Sequence, residues 1–235
     1  MKLFCFPHAG GFSSYYRFIK ENPYDTIEHV MLFDYPRRSF SNDGSKALFS
    51  CYILAAVEFV MRNILCGEEY ILFGHSMGAF VACEAGLLLQ NKYSTPPTGV
   101  IASGQNPPYS EKYEKGWVCP EEPYSFVEKL GGVPDFIRNN KRLFSVMMNC
   151  IADDMKAIET YEPSEPSEEE LLDCGMIIKG SDDPLIKYEY AHYWDKTFRR
   201  IYSDIVLPGD HFYFKDHTND VTRMIDEFAA AITKE

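Results

Sequence analysis

Hydrophobic residues along the chain recur in two alternating rhythms. Short apolar runs at residues 2–6, 28–34, 70–73, 98–103, 174–179 and 203–207 predict strands. Between them, apolar residues at helical spacing predict helices over 14–20, 46–65, 79–90, 186–198 and 217–232. The stretch from Ala47 to Leu65 shows the helical spacing clearly, and Gly67 stops it. Strand and helix in alternation predict an α/β fold, a mostly parallel sheet with helices on both faces. No internal repeat interrupts the pattern.

The alternation breaks once. A long segment at about 106–163 separates two expected strands, where a single crossover is the usual connection. It carries helical patterns of its own near 125–129, 134–139 and 143–159. The expectation is a single domain over 1–235 with a helical insertion at about 106–163. After it comes 162–173, with Glu165, Glu168, Glu169, Glu170 and two prolines and no basic residue, which reads as a solvated return linker.

Candidate chemistry sharpens this picture. The run Tyr70-Ile71-Leu72-Phe73 leads into Gly74-His75-Ser76-Met77-Gly78 and then into a helix-compatible stretch. Strand, G-x-S-x-G and helix together predict a nucleophile elbow, with Ser76 on a strained turn and a helix N-terminus aimed at the reacting oxygen. A chance G-x-S-x-G in a loop lacks that context. Later in the chain, Gly209-Asp210-His211-Phe212 follows an expected strand and offers His211 as general base. His75 adjoins the nucleophile and cannot fold back as the base. His8 lies in another loop, and His29, His192 and His217 have no motif around them. The third partner is expected in Gly180-Ser181-Asp182-Asp183-Pro184, after another strand. Asp183 is the preferred acid, and Asp182 is its competitor, better suited to bonding loop N–H groups. The loop Ser103-Gly104-Gln105-Asn106 carries no carboxylate that would serve instead. The order Ser, Asp, His is that of α/β-hydrolases. The oxyanion donors expected are the backbone N–H groups of Met77 and of Ala9, the latter in Pro7-His8-Ala9-Gly10-Gly11 after the first strand.

Taken jointly, these motifs resemble one family. Phe4-Cys5-Phe6-Pro7-His8-Ala9-Gly10-Gly11 with Tyr15-Tyr16, the elbow through Ala79, Leu130-Gly131-Gly132-Val133-Pro134 and the two late loops are similar to type II thioesterases. Those are the stand-alone editing enzymes of nonribosomal peptide and polyketide synthesis. The chain departs from the family pattern at Pro36-Arg37-Arg38, which lacks a glycine, and at Ile151-Ala152-Asp153, where Arg-Ala-Asp is common. The resemblance implies an α/β-hydrolase fold with the insertion as a lid. It also implies hydrolysis of acyl groups from the phosphopantetheine arm of an acyl or peptidyl carrier protein. The residues by themselves indicate serine acyl transfer. They leave room for a carboxylesterase or lipase acting on oxygen esters, or for a binding module that keeps the fold without the chemistry.

Composition trims the remaining classes. The net charge of −12 argues against nucleic acid and anionic membranes as partners. The seven cysteines form no C-x-x-C pair, so reduced thiols and a cytoplasmic location are expected, with no metal site. No signal peptide or membrane-length apolar run is read, and without G-x-G-x-x-G or a P-loop no cofactor is expected. Of the local basic pairs Arg37-Arg38, Lys141-Arg142 and Arg199-Arg200, any one would suit an acidic carrier, although surface pairs of this kind are common.

Overall fold

The computed structural model describes residues 1–36, 48–109, 127, 130, 131, 133 and 135–233. The Arg37-Arg38 pair, the helical pattern at 125–129 apart from Val127, and Cys119 lie outside them.

The strands are β1 (Lys2–Phe6), β2 (His29–Leu32), β3 (Tyr70–His75), β4 (Gly99–Ser103), β5 (Leu172–Gly180) and β6 (Phe198–Leu207). They form one sheet in the order β2-β1-β3-β4-β5-β6, and every neighbouring pair is parallel. Central strands of such a sheet are covered on both faces and so read as continuous apolar runs. That is why β3 and β4 are buried at every position. Alternate side chains feed two cores. Phe4, Phe6 and Leu72 point to one, whereas Leu3, Cys5 and Phe73 point to the other.

Helices α1 (Arg17–Glu21), α2 (Phe49–Asn63), α3 (Met77–Asn91), α4 (Asp135–Arg138), α5 (Lys141–Glu159) and α6 (Thr218–Ile232) cover the two faces. In α2 the buried residues Phe49, Tyr52, Ile53, Ala56, Val57 and Val60 make one stripe at helical spacing. Burying a large apolar side chain of that stripe stabilises the fold by about 1.5–3 kcal/mol. α3 is buried almost all round, packed between the sheet and α2. α6 buries Val221, Ile225, Phe228 and Ile232 in the opposite core.

Several boundaries differ from the sequence pattern: the helix expected over 14–20 is a 3-10 turn over Ser13–Tyr16 followed by α1, and β5 begins at Leu172 rather than Cys174. The helix expected over 186–198 is a 3-10 segment over Tyr188–Lys196. β6 begins at Phe198 rather than near 203, because it pairs with β5 from Leu172↔Phe198 to Gly180↔Leu207. Its exposed Arg199, Arg200 and Tyr202 hide that pairing from a hydrophobicity pattern. α5 starts two residues earlier than its apolar stripe. The Asn140 side chain caps it there, accepting from the N–H groups of Arg142 (3.1 Å) and Leu143 (3.2 Å).

α4 and α5 lie in the expected insertion between β4 and β5. α5 packs on α2, and its end is pinned where Phe49 N–H donates to Thr160 Oγ1 at 2.9 Å. The acidic stretch after it is largely exposed and meets Lys196 through Glu165 (3.0 Å).

Candidate active site

β3 runs through His75, and α3 starts at Met77, so Ser76 alone makes the turn between them. Its backbone stands at φ 56° and ψ −120°, a region that costs a non-glycine residue on the order of 1–3 kcal/mol. The surroundings hold it there. Ser76 N–H donates to Ser103 O on β4 at 2.8 Å, and Ala79 N–H donates to Ser76 O at 2.9 Å. Flanking glycines are required by contact: a Cβ on Gly74 would lie 1.9 Å from Gly78 O, and one on Gly78 would lie 2.0 Å from Phe6 O. The G-x-S-x-G spacing is thus a packing requirement of β3, α3 and β1 together.

His211 and Asp183 arrive on the loops after β6 and β5. The two loops are laced: Ser181 N–H donates to Leu207 O at 2.8 Å, and Asp182 N–H to Gly209 O at 2.9 Å. His211 Nδ1 and Asp183 Oδ2 are 2.8 Å apart, both side chains buried. Asp183 Oδ1 also accepts from Leu185 N–H at 3.0 Å, which fixes the carboxylate plane. Asp182 is exposed and accepts from the Ser181 hydroxyl at 2.8 Å. Of the two candidate acids, the fold brings Asp183 to His211.

Ser76 and His211 line one cavity, together with Ala9, Met77, His8 and Gln105. The rest of its lining is mostly apolar and includes Met147, Ile151, Met155 and Ile158 of α5 with Leu130 and Leu185. In the loop after β1 most N–H groups are engaged. His8 N–H donates to the Tyr16 hydroxyl (3.2 Å), Gly10 N–H to Asp154 Oδ2 (2.7 Å) and Gly11 N–H to His8 O (2.9 Å). Ala9 N–H has no partner among the described residues. Met77 N–H is likewise unpaired there, as the first N–H groups of a helix are. Two unpaired donors beside Ser76 can stabilise an oxyanion.

Other residues pack around His211 to which the sequence pattern assigns no role. His75 is buried with its ring centroid 4.8 Å from that of His211. Its Nδ1 lies 2.8 Å from Ser103 Oγ, which lies 2.6 Å from the Tyr213 hydroxyl. Burial, then the proximity of His211, His8 and Lys215, pushes the His75 pKa well below the usual imidazole range. His75 therefore stays neutral and adds no charge beside His211 when that residue takes up a proton. His8 Nδ1 is 2.7 Å from the Tyr16 hydroxyl, and its ring meets Phe212 edge-on at 4.8 Å. Asp154 is also absent from any motif. The signal for it was the helical spacing of 147, 151, 154, 155 and 158, which puts a carboxylate on a buried stripe.

The parallel sheet, the serine elbow and the late Asp and His loops define an α/β-hydrolase. Residues 1–229 match the family described as Thioesterase domain, and the chain belongs to that family. It is 29% identical over 229 residues to a probable cadicidin biosynthesis thioesterase of Streptomyces griseus, covering 96% of this chain and 61% of that protein. It is 25% identical to thioesterase PikA5 of Streptomyces venezuelae, over 97% of this chain and 80% of the relative. Among solved structures, ClbQ from the colibactin NRPS/PKS pathway superposes with a TM-score of 0.84 at 21% identity, over 99% of this chain and 98% of the other. No helix among the described residues is long and apolar enough to cross a membrane.

Proposed function

We propose that the chain is a serine thioesterase that hydrolyses acyl groups from phosphopantetheine thioesters on carrier proteins, editing the products of nonribosomal peptide or polyketide synthases. The observation that carries this is Ser76, held at a positive φ in the same cavity as a His211 whose Nδ1 is bonded to buried Asp183. The names of the relatives, biosynthetic thioesterases, support the substrate class.

In this reading His211 Nε2 takes the Ser76 proton as Oγ attacks the thioester carbonyl. The N–H groups of Met77 and Ala9 stabilise the oxyanion. The pantetheine thiol leaves with the proton from His211, and the acyl group stays on Ser76. His211 then activates water, and hydrolysis frees the acid and the serine. Asp183 holds the imidazole tautomer throughout. The insertion acts as a lid, with α5 forming the acyl wall of the cavity. The chain is a single domain working with an acidic carrier protein in the cytoplasm.

The test is turnover of one acyl group offered as a thioester and as an oxygen ester, with a serine-directed phosphonate alongside. The thioester turns over faster, the phosphonate labels Ser76, and Ser76→Ala loses nearly all activity while keeping its fold. Faster turnover of the oxygen ester would replace this reading with an esterase, and an active Ser76→Ala protein would reject the mechanism.

A further inference from the structure

The acyl wall of the cavity and the loop that carries Ala9 are joined at one residue. Asp154 is on α5, beside the stripe that lines the cavity, and is fully buried. Its Oδ2 accepts the N–H of Gly10 at 2.7 Å, and its Oδ1 accepts the Tyr52 hydroxyl at 2.9 Å. Gly10 touches the same helix by shape. At its φ of 75°, a Cβ would lie 2.1 Å from Ile151 Cγ1.

A buried carboxylate is costly unless hydrogen-bonded, and Met147, Ile151, Met155 and Ile158 show that apolar side chains fill this helix face elsewhere. What a carboxylate adds at 154 is a strong, directional acceptor for backbone N–H. The peptide between Ala9 and Gly10 is planar. Once its N–H is fixed, only the φ and ψ of Ala9 separate it from the peptide plane that carries the Ala9 N–H. That donor is the one unpaired N–H of the loop between His8 and Gly11 among the described residues.

We propose that Asp154 is a positioning residue for the oxyanion hole. Through Gly10 it aims the Ala9 N–H into the cavity, and it ties that aim to the seat of the helix that the acyl chain contacts. An acyl group that displaces α5 then loses transition-state stabilisation as well as binding. The inference rests on the serine hydrolase reading of the site. It names a further residue beyond the Ser76, Asp183 and His211 set.

The experiment compares wild type, Asp154→Ala and Asp154→Asn in kcat, in KM, and in affinity for two acyl analogues. One analogue is a trifluoromethyl ketone, which forms a tetrahedral oxyanion on the serine. The other is the matched uncleavable thioether. Loss of an oxyanion donor lowers kcat about 10²–10³-fold, so misplacing one in Asp154→Ala is expected to lower kcat about 10-fold or more. KM and thioether affinity stay near wild type, ketone affinity falls with kcat, and Asp154→Asn recovers most of the loss because its amide oxygen still accepts. Unchanged kcat in Asp154→Ala, or ketone and thioether affinities that fall together, would overturn the proposal. Should Asp154→Ala fail to fold, Asp154→Glu is read by the same ketone-to-thioether ratio, because its longer arm misplaces the acceptor. If the wild type prefers an oxygen ester, the thioesterase reading fails while this ratio still decides the role of Asp154, since the hole serves both reactions.

Discussion

At the scale of residues, the site is a set of constraints on a few atoms. Ser76 sits beside the cavity on a strained backbone, which the bond to Ser103 O and the start of α3 hold in place. The two neighbouring aspartates separate by environment: Asp183 is buried against His211, whereas Asp182 faces solvent and serves its own loop. Asp183→Asn is therefore expected to lower kcat by about 10³–10⁴-fold, through the wrong imidazole tautomer. Asp182→Asn changes it little. Steady-state rates of the two variants on one thioester check this, and a crippled Asp182→Asn with an active Asp183→Asn would move the acid by one position.

Among the elements, α3 shows how burial dictates composition. A helix covered on nearly every side has small and apolar residues all round, and it leaves little room for charge. Glu84 is the exception. Its Oε1 accepts from the hydroxyls of Tyr161 (2.6 Å) and Tyr109 (2.9 Å), joining α3 to the chain just beyond α5 and to the segment after β4. Burial raises its pKa above the ordinary 4.5, and the two tyrosine bonds oppose that shift only in part. The native state thus holds this proton more tightly than the unfolded chain does. Stability from Glu84 is intact below pH 4.5 and declines as pH rises from there through the raised value. Glu84→Gln keeps the acceptor and removes the charge. Its thermal midpoint should exceed that of wild type at neutral pH, with the gain vanishing below about pH 4.5. A constant difference across pH, followed by calorimetry, would rule out ionisation of Glu84 as the cause.

For the whole molecule, a parallel sheet sets the carboxyl ends of its strands along one edge, where ligands of open α/β sheets bind. The loops after β1, β3, β5 and β6 meet there and supply Ala9, Ser76, Asp183 and His211. A carrier-directed enzyme draws binding energy from the protein surface and uses it at the reacting centre. The same acyl group should accordingly turn over with higher kcat/KM on a carrier protein than on a pantetheine mimic. Lys141 and Arg142 are exposed at the start of α5, the helix that lines the cavity with its apolar residues. Replacing both with alanine should reduce the carrier's advantage and its salt dependence, and leave turnover of the mimic unchanged. The net charge of −12 keeps that attraction local. Equal efficiency on carrier and mimic would remove the carrier from the proposed function.

Much of this was legible in the chain itself. Alternating apolar runs determined the layered α/β architecture, because burial on both faces of a parallel sheet demands those runs at β1, β3 and β4. The elbow was legible too, since G-x-S-x-G between an apolar run and a helical pattern is a local signature, although only Gly74 answers to a contact within that unit and Gly78 answers to Phe6 on β1. What only the tertiary structure decided lies between segments distant in sequence. Whether Asp182 or Asp183 meets His211 depends on how the loops after β5 and β6 lace together across 28 residues. The reach of β6 depends on backbone pairing at a solvent-facing edge, where side-chain hydrophobicity carries no signal. The bond from Asp154 to Gly10 spans 144 residues, and no local pattern can specify a contact that exists only once two elements have packed.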